Sequence, residues 1–226
     1  NGLQVIFERN KYFFVIQSKY VDVKTKRCYS MIVLRSNYKN GGTVMKLGDI
    51  LQVVAGPNAS RIKSMYTEEQ MYTVSNLEDD LAQIEYDVPA GDSVQAELLT
   101  SENDLVVSMI RQEAAIVTRV NVGKVLNSNF VKCEFKRKQV DPWFICYWLN
   151  ESDDVKKQNH DRDMLKSYTA ATLMDLSIAL PEIARQREIG KGYKALKHMQ
   201  YLFDRQKDEW TSLALEMMRQ VMKEGK

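Results

Sequence analysis

The sequence predicts an α+β protein in which a mixed-sheet domain is followed by a long C-terminal coiled-coil-forming helix. Three observations predict it. Short β-branched apolar segments separated by polar turns fill the chain from Met45 to about Val140, Asp141-Pro142 reads as a helix start, and an apolar seam at heptad spacing runs to the C-terminus. A chain of 226 residues, 44% hydrophobic and 27% charged, is long enough to bury a core and too apolar for wholesale disorder.

In chain order, residues 3–44 read as strands, with apolar runs at Phe13-Phe14-Val15-Ile16 and Met31-Ile32-Val33-Leu34, before Asn40-Gly41-Gly42 breaks the pattern. Residues 1–44 are expected to be a strand-rich N-terminal extension. Strands are then expected at Ile50 to Val54, Asp104 to Ile110, Ala114 to Val120 and Val131 to Phe135. Between them, Leu77, Leu81 and Ile84 recur at helical spacing within Thr67 to Tyr86. Asp141 can cap the free amides of a helix whose first position suits Pro142, and the polar stretch Asn150 to Asp163 should end that helix or carry it into a loop.

Beyond Pro181 alternating steps of four and three give Ile189, Tyr193, Leu196, Gln200, Phe203, Lys207, Trp210, Ala214, Met217 and Val221, eight of the ten apolar. Helical from Gln186 to Glu224, this segment would be about 60 Å long at 1.5 Å per residue. Such a seam could pack on the chain's own domain, but its length favours a second helix as partner, and Gln200 and Lys207 are places where register could be fixed. Gly190 and Gly192 each weaken a helix by about 1 kcal/mol, so the first turns are expected to fray or hinge there.

Charge and chemistry narrow the function classes. With 32 basic and 30 acidic residues, the formal charge of +2 supplies no global field toward nucleic acid or membrane, so any DNA-binding face must be local. Cys28, Cys133 and Cys146 form no Cys-x-x-Cys pair, and His160 and His198 lie at no metal-ligand spacing from them. Reduced thiols in a cytoplasmic protein are expected, without metal or cofactor. No apolar run approaches the roughly 20 residues of a membrane span, and no signal peptide is apparent. Asp141-Pro142-Trp143-Phe144 lacks the second proline of the amino-methyltransferase motif. Gly123-Lys124 with Ser128 lacks the order of a phosphate loop. A capped helix and a strand-edge turn are the expected readings, and no catalytic residue is assigned.

Three separated segments carry a family resemblance. Met45-Lys46-Leu47-Gly48-Asp49-Ile50 with Gly56-Pro57-Asn58-Ala59-Ser60-Arg61 resembles the opening of a target-recognition domain in type I restriction-modification specificity subunits. Gly123 to Phe130, followed by Val140 to Asn150, looks like that domain's late strand and helix. Tyr168-Thr169 with Leu173, Leu176, Ile178, Leu180-Pro181, Gln186 and Ile189 looks like its exit into the spacer helix. The order and spacing match over about 150 residues, although Leu-Pro-x-x-x-x-Gln alone is unspecific. The resemblance implies a non-catalytic subunit that reads DNA and directs adenine methyltransferase and restriction subunits to a split target. Full-length members carry two recognition domains, so one set implies a half-subunit, with residues 45–181 as the reading domain and 182–226 as a spacer that pairs two copies. An isologous pair would read a split palindrome. The alternative is a structural protein that assembles through the helix without touching DNA.

Candidate DNA contacts follow from residue type. Lys132, Lys136, Arg137 and Lys138 form the densest basic cluster, suited to phosphate, although strand alternation would put Glu134 on the face of Lys132 and Lys136. Ser60, Arg61 and Lys63 form a second patch, and Arg111-Gln112 a third. Arg61, Arg111, Gln112 and Asn127 carry the side chains that match base edges with two hydrogen bonds. Lys124 sits in the turn before Asn127. Lys166 and Ser167, with Tyr168 and Thr169, are expected near the DNA backbone because the resemblance places the exit loop there. The helix-pairing set is Ile189, Tyr193, Leu196, Gln200, Phe203, Trp210, Ala214, Met217 and Val221.

Overall fold

The computed structural model describes residues 6–8, 13–15, 44–62, 64–84, 98–160 and 169–224. The chain divides into two compact units, Asn1–Asn40 and Gly41–Lys226. In the first, β1 (Ile6–Glu8) pairs antiparallel with β2 (Phe13–Val15). The other candidate strand, Met31 to Leu34, lies outside the described residues.

The second unit is the α+β domain that continues into the long helix. Its strands are β3 (Val44–Lys46), β4 (Leu51–Ala55), β5 (Leu105–Ser108), β6 (Glu113–Ile116), β7 (Phe130–Phe135) and β8 (Ser177–Ala179). Four of them form a sheet in the order β4-β7-β5-β6 with antiparallel neighbours, and β3 pairs antiparallel with β8. The pairings between these strands are all antiparallel where a mixed sheet was expected, and the parallel pairing among the described residues is an isolated bridge between Met71 and Val125. Expected strand Ala114 to Val120 is cut short, because Arg119–Asn121 turns as a 3-10 helix.

The helices are α1 (Ala59–Ile62), α2 (Val74–Ala82), α3 (Pro142–Glu151), α4 (Asp153–His160), α5 (Ala170–Met174) and α6 (Ile183–Glu224). The cap of α3 forms as its sequence requires, the Asp141 carboxylate accepting from the Phe144 amide at 2.9 Å with Pro142 in the first turn. Phe144, Ile145, Cys146, Trp148 and Leu149 are buried, since α3 lies between β6 and α6 and has almost no free face. The polar stretch ends α3 at Glu151, as expected, and its described part then forms α4 through His160. Asp153 and Asp154 in the first turn and His160 in the last suit the helix dipole of α4.

Two carboxamides cover free strand edges. Asn150 accepts from the Ala114 amide at 2.7 Å and donates to the Ala114 carbonyl at 2.9 Å, taking the place of a strand beside β6. Gln158 does the same for Ser177 on β8, at 2.7 and 2.8 Å. A buried carboxylate ties α2 to the turn after β6. Asp80 accepts from the Tyr72 hydroxyl, the Thr118 amide and hydroxyl, and the Asn121 carboxamide, all within 2.9 Å. Burial pushes its carboxyl upward and these donors, Tyr72 first, pull it back.

The long helix starts three residues earlier than its apolar pattern indicated and does not break at its glycines. Gly190 is buried where α6 crosses the start of α3. A Cβ there would overlap the Asp141 carboxylate and stand 2.9 Å from Trp143 Cβ and 3.0 Å from the Phe144 nitrogen. Gly192 faces open space. The expected hinge is therefore a close helix crossing, which only a residue without a side chain permits. Gln186, 2% exposed, locks the joint. Its oxygen accepts from the Asp141 amide at 3.0 Å and its nitrogen donates to the Pro181 carbonyl at 2.7 Å. Those bonds give the Leu-Pro-x-x-x-x-Gln spacing its physical meaning.

Candidate nucleic-acid interface

The strand register gathers three turns at one end of the sheet. Ala55, the last residue of β4, pairs with Val131, and Ser108, the last residue of β5, pairs with Phe130. The turn after β4, the turn before β7 and the hairpin between β5 and β6 consequently stand side by side. Hydrogen bonds stitch them: Gly56 amide to Phe130 carbonyl at 3.3 Å, Ser128 amide to Pro57 carbonyl at 2.8 Å, and Met109 amide to Asn129 carbonyl at 2.7 Å. Gly56 permits this crossing, since a Cβ would overlap the Asn127 carbonyl.

Arg61, Ser60, Asn127, Arg111 and Gln112, far apart in sequence, are thus brought to one end. Ser60 and Arg61 are exposed on α1, whose start is shaped by the Asn58 side chain accepting from the Ser60 amide at 2.9 Å. The Arg61 guanidinium makes no ion pair among the described residues. Arg111 differs, because its guanidinium bonds Glu78 at 2.6 Å and Glu113 at 3.3 Å, pinning the hairpin to α2. Asn127 spends its carboxamide oxygen on the Asn129 amide at 2.9 Å. Gln112, exposed at the hairpin tip, has a left-handed backbone with φ 54°, and its amide closes the hairpin onto the Ser108 carbonyl at 2.9 Å.

The remaining candidates lie elsewhere. Lys136, Arg137 and Lys138 are exposed at the opposite end of β7, roughly 17 Å away by strand rise. There Lys136 donates to the Gly48 carbonyl at 2.6 Å and Arg137 approaches the Met45 sulfur at 3.7 Å. Lys132 is not on a solvated face. It is 7% exposed, covered by the segment that places the Leu99 carbonyl 3.3 Å and Asp104 3.7 Å from its ammonium. Burial raises the Asp104 carboxyl, and the Ser101 amide and Lys132 oppose that shift. Lys124 donates to the Glu69 carbonyl at 3.0 Å and so fastens a turn. Lys63, Lys166 and Ser167 lie outside the described residues.

The structure adds Asn58, Ser128 and Ile110 to this end of the sheet. All three are exposed, Ile110 at 66%. Asn58 could have been found from its Gly-Pro-Asn turn, whereas Ile110 gave no signal because it closes an apolar run.

The helix-pairing set also divides. Tyr193 is 3% exposed and Ile189 packs against the core, so both belong to the domain. The Tyr193 ring meets Tyr147 edge-on at 5.5 Å and its hydroxyl accepts from Asn150 at 3.0 Å. Leu196, Phe203, Trp210, Met217 and Val221 are exposed, as are Gln200 and Ala214, and every residue from Leu202 through Lys223 is exposed. Among the described residues, none forms a metal-holding cluster and no helix is long and apolar enough to cross a membrane.

No protein-family model matches the chain, and no curated protein matches it. Solved structures to which the chain aligns include two specificity subunits of type I restriction-modification systems and a structure from a study of that system's assembly. The HsdS subunit of Thermoanaerobacter tengcongensis aligns at 13% identity over 74% of this chain and 40% of its own, with a TM-score of 0.45. The type I S subunit of M. genitalium aligns at 16% over 76% and 42%, with a TM-score of 0.43. A structure described as showing complex assembly and conformational transition of the type I system aligns at 12% over 79% and 44%, with a TM-score of 0.47. The chain spans about two fifths of the length of these structures.

Proposed function

We propose that this chain is a non-catalytic DNA sequence-recognition subunit of a type I restriction-modification system. In this reading, residues 45–181 read one half of a split target and residues 182–226 are the spacer that pairs two copies in the cytoplasm. Adenine methyltransferase and restriction subunits are the protein partners, and residues 1–44 are an extension. One observation carries the reading. A polar sheet end, with an arginine that makes no ion pair among the described residues, belongs to a domain from which a helix extends roughly 33 Å with all its described side chains exposed. The exposed apolar seam supplies a means of joining two such ends at a fixed distance, and a split target needs that distance. The three ordered sequence resemblances support the same assignment.

Arg61 and Gln112 are the base contacts in this scheme, with Ser60 and Ser128 on phosphate. Lys136, Arg137 and Lys138 would meet the backbone farther along the duplex. The test is co-expression with a type I methyltransferase subunit and mapping of N6-methyladenine in the host genome. Methylation at one split palindrome is the expected result, whereas methylation without sequence preference would overturn the assignment. Duplex affinity should fall steeply with salt, because neutralised phosphates release counterions. A chain that only assembles through its helix would pair equally well and show no such dependence.

A further inference from the structure

Four side chains of base-reading type were expected in this region, and the structure makes them unequal. The Arg111 guanidinium is held by two carboxylates, Glu78 and Glu113. The Asn127 oxygen accepts from its own turn, which fixes the plane of the carboxamide and uses one of the oxygen's two lone pairs. The same is true of Asn58, whose oxygen holds the Ser60 amide. Adenine presents an acceptor at N7 and a donor at N6, and a carboxamide free to turn can align with both, whereas one tied to its own turn must find them at a fixed angle. Among the described residues at this sheet end, the Gln112 side chain has neither end engaged in a hydrogen bond and is exposed.

Its backbone gives a second, independent reason. Gln112 has φ 54°, a left-handed conformation for which Gly or Asn is the ordinary choice in a hairpin. Gln83, at the same φ, uses its carboxamide to bond the Asp80 and Ile116 carbonyls, which explains its place at the end of α2. Gln112 has no such structural use. A long polar side chain is kept at a strained position where it bonds nothing within the described domain, and such strain gathers at binding sites.

We propose that Gln112 is the residue that reads an adenine, through paired hydrogen bonds to N7 and N6, while Arg61 reads a guanine on the far side of the same end. The inference rests on the DNA-recognition reading above. Strand order sets the spacing. The hairpin tip and the turn after β4 are separated by two to three strand intervals of about 4.8 Å, roughly 10–14 Å, comparable with the width of a major groove. At about 3.4 Å per step, the adenine and the guanine stand roughly three or four base pairs apart.

The test is selection from a randomised duplex library by the full chain and by two variants. Q112G suits the left-handed backbone, so it should melt at or above the wild-type temperature. It should enrich the wild-type consensus with one A·T position per half-site degenerate, a loss of roughly ten-fold discrimination there. Q112E should turn that position toward C·G, because a carboxylate accepts from cytosine N4. An unchanged consensus in both variants would overturn the role of Gln112 and leave the recognition function standing. A wild-type chain that enriches no consensus would overturn the recognition function itself, and the Gln112 proposal with it.

Discussion

The two halves of α6 share one continuous helix and differ in what they face. In the half from Ile183 to Tyr201, Gln186, Gly190, Tyr193 and Lys197 form a stripe that meets α3, with Lys197 3.2 Å from Glu151. In the half from Leu202 to Glu224 no described side chain is buried, yet Phe203, Trp210, Leu213, Met217 and Val221 are all large and apolar. At 100° per residue the exposed stripe, which begins at Leu196 and Met199, lies roughly 130° round the axis from the docking stripe. A partner helix could therefore lie along α6 from Leu196 onward without displacing the domain. Apolar periodicity shows that a helix has something to bury; only the three-dimensional structure shows that one stripe is buried against the domain and the other is exposed.

The largest expected effect falls on the second face. Trp210→Asp should abolish self-association, weakening it by at least a hundred-fold in sedimentation equilibrium, while the melting temperature of the domain stays within a degree or two. A variant that melts much lower would mean that the distal half supports its own domain, and the contrast between the halves would fail. Gly190→Ala attacks the first face. The added carbon has no room beside Asp141 and the α3 backbone, so about 2–3 kcal/mol of stability should be lost with the dimer contact intact. Denaturant unfolding checks it.

The buried thiols sharpen the same contrast. Burial alone pushes the Cys133 thiol up to about 12 from 9.0, and it raises Cys146 in the same direction. The unfolded chain gives up these protons first. The stability they contribute is thus fully present below pH 9 and declines as pH rises toward 12, which alkaline melts should record. At neutral pH a Cys28→Ser chain should react with a thiol reagent only through unfolding, faster by roughly 30- to 150-fold in Gly190→Ala and unchanged in Trp210→Asp. The smallest effect is a gain. Gly192→Ala meets nothing within 4 Å and should stabilise the chain by about 0.5–1 kcal/mol.

Sequence pattern carried far into the fold where the physics is local. The Asp141 cap, the strands Leu51–Ala55 and Phe130–Phe135, and the C-terminal helix are each dictated by neighbouring residues. Gly190 and Gly192 are indistinguishable as letters, because the difference is the backbone of α3 passing beside one of them. Lys132 alternates correctly with Glu134 and Lys136, but its burial depends on Leu99 and Asp104, distant in sequence, lying against it. The candidate site was legible as residue types and not as a place. Arg61, Gln112 and Asn127 come to one end only through strand order, and the pairing of Arg111 with Glu78 on another element is likewise invisible in the sequence.

The Gln186 joint has a consequence in leverage. It sits near one end of a 42-residue rod about 63 Å long, so each degree of tilt there moves the far tip by about 1 Å. Two partly buried hydrogen bonds and a side-chain-free crossing are an angular clamp, and the tolerance of that clamp is magnified along the arm. If two such arms set the gap between two reading heads, a few degrees of slack would smear the spacing by a whole base-pair step. In that arrangement Gln186 and Gly190 would contribute aiming accuracy more than strength.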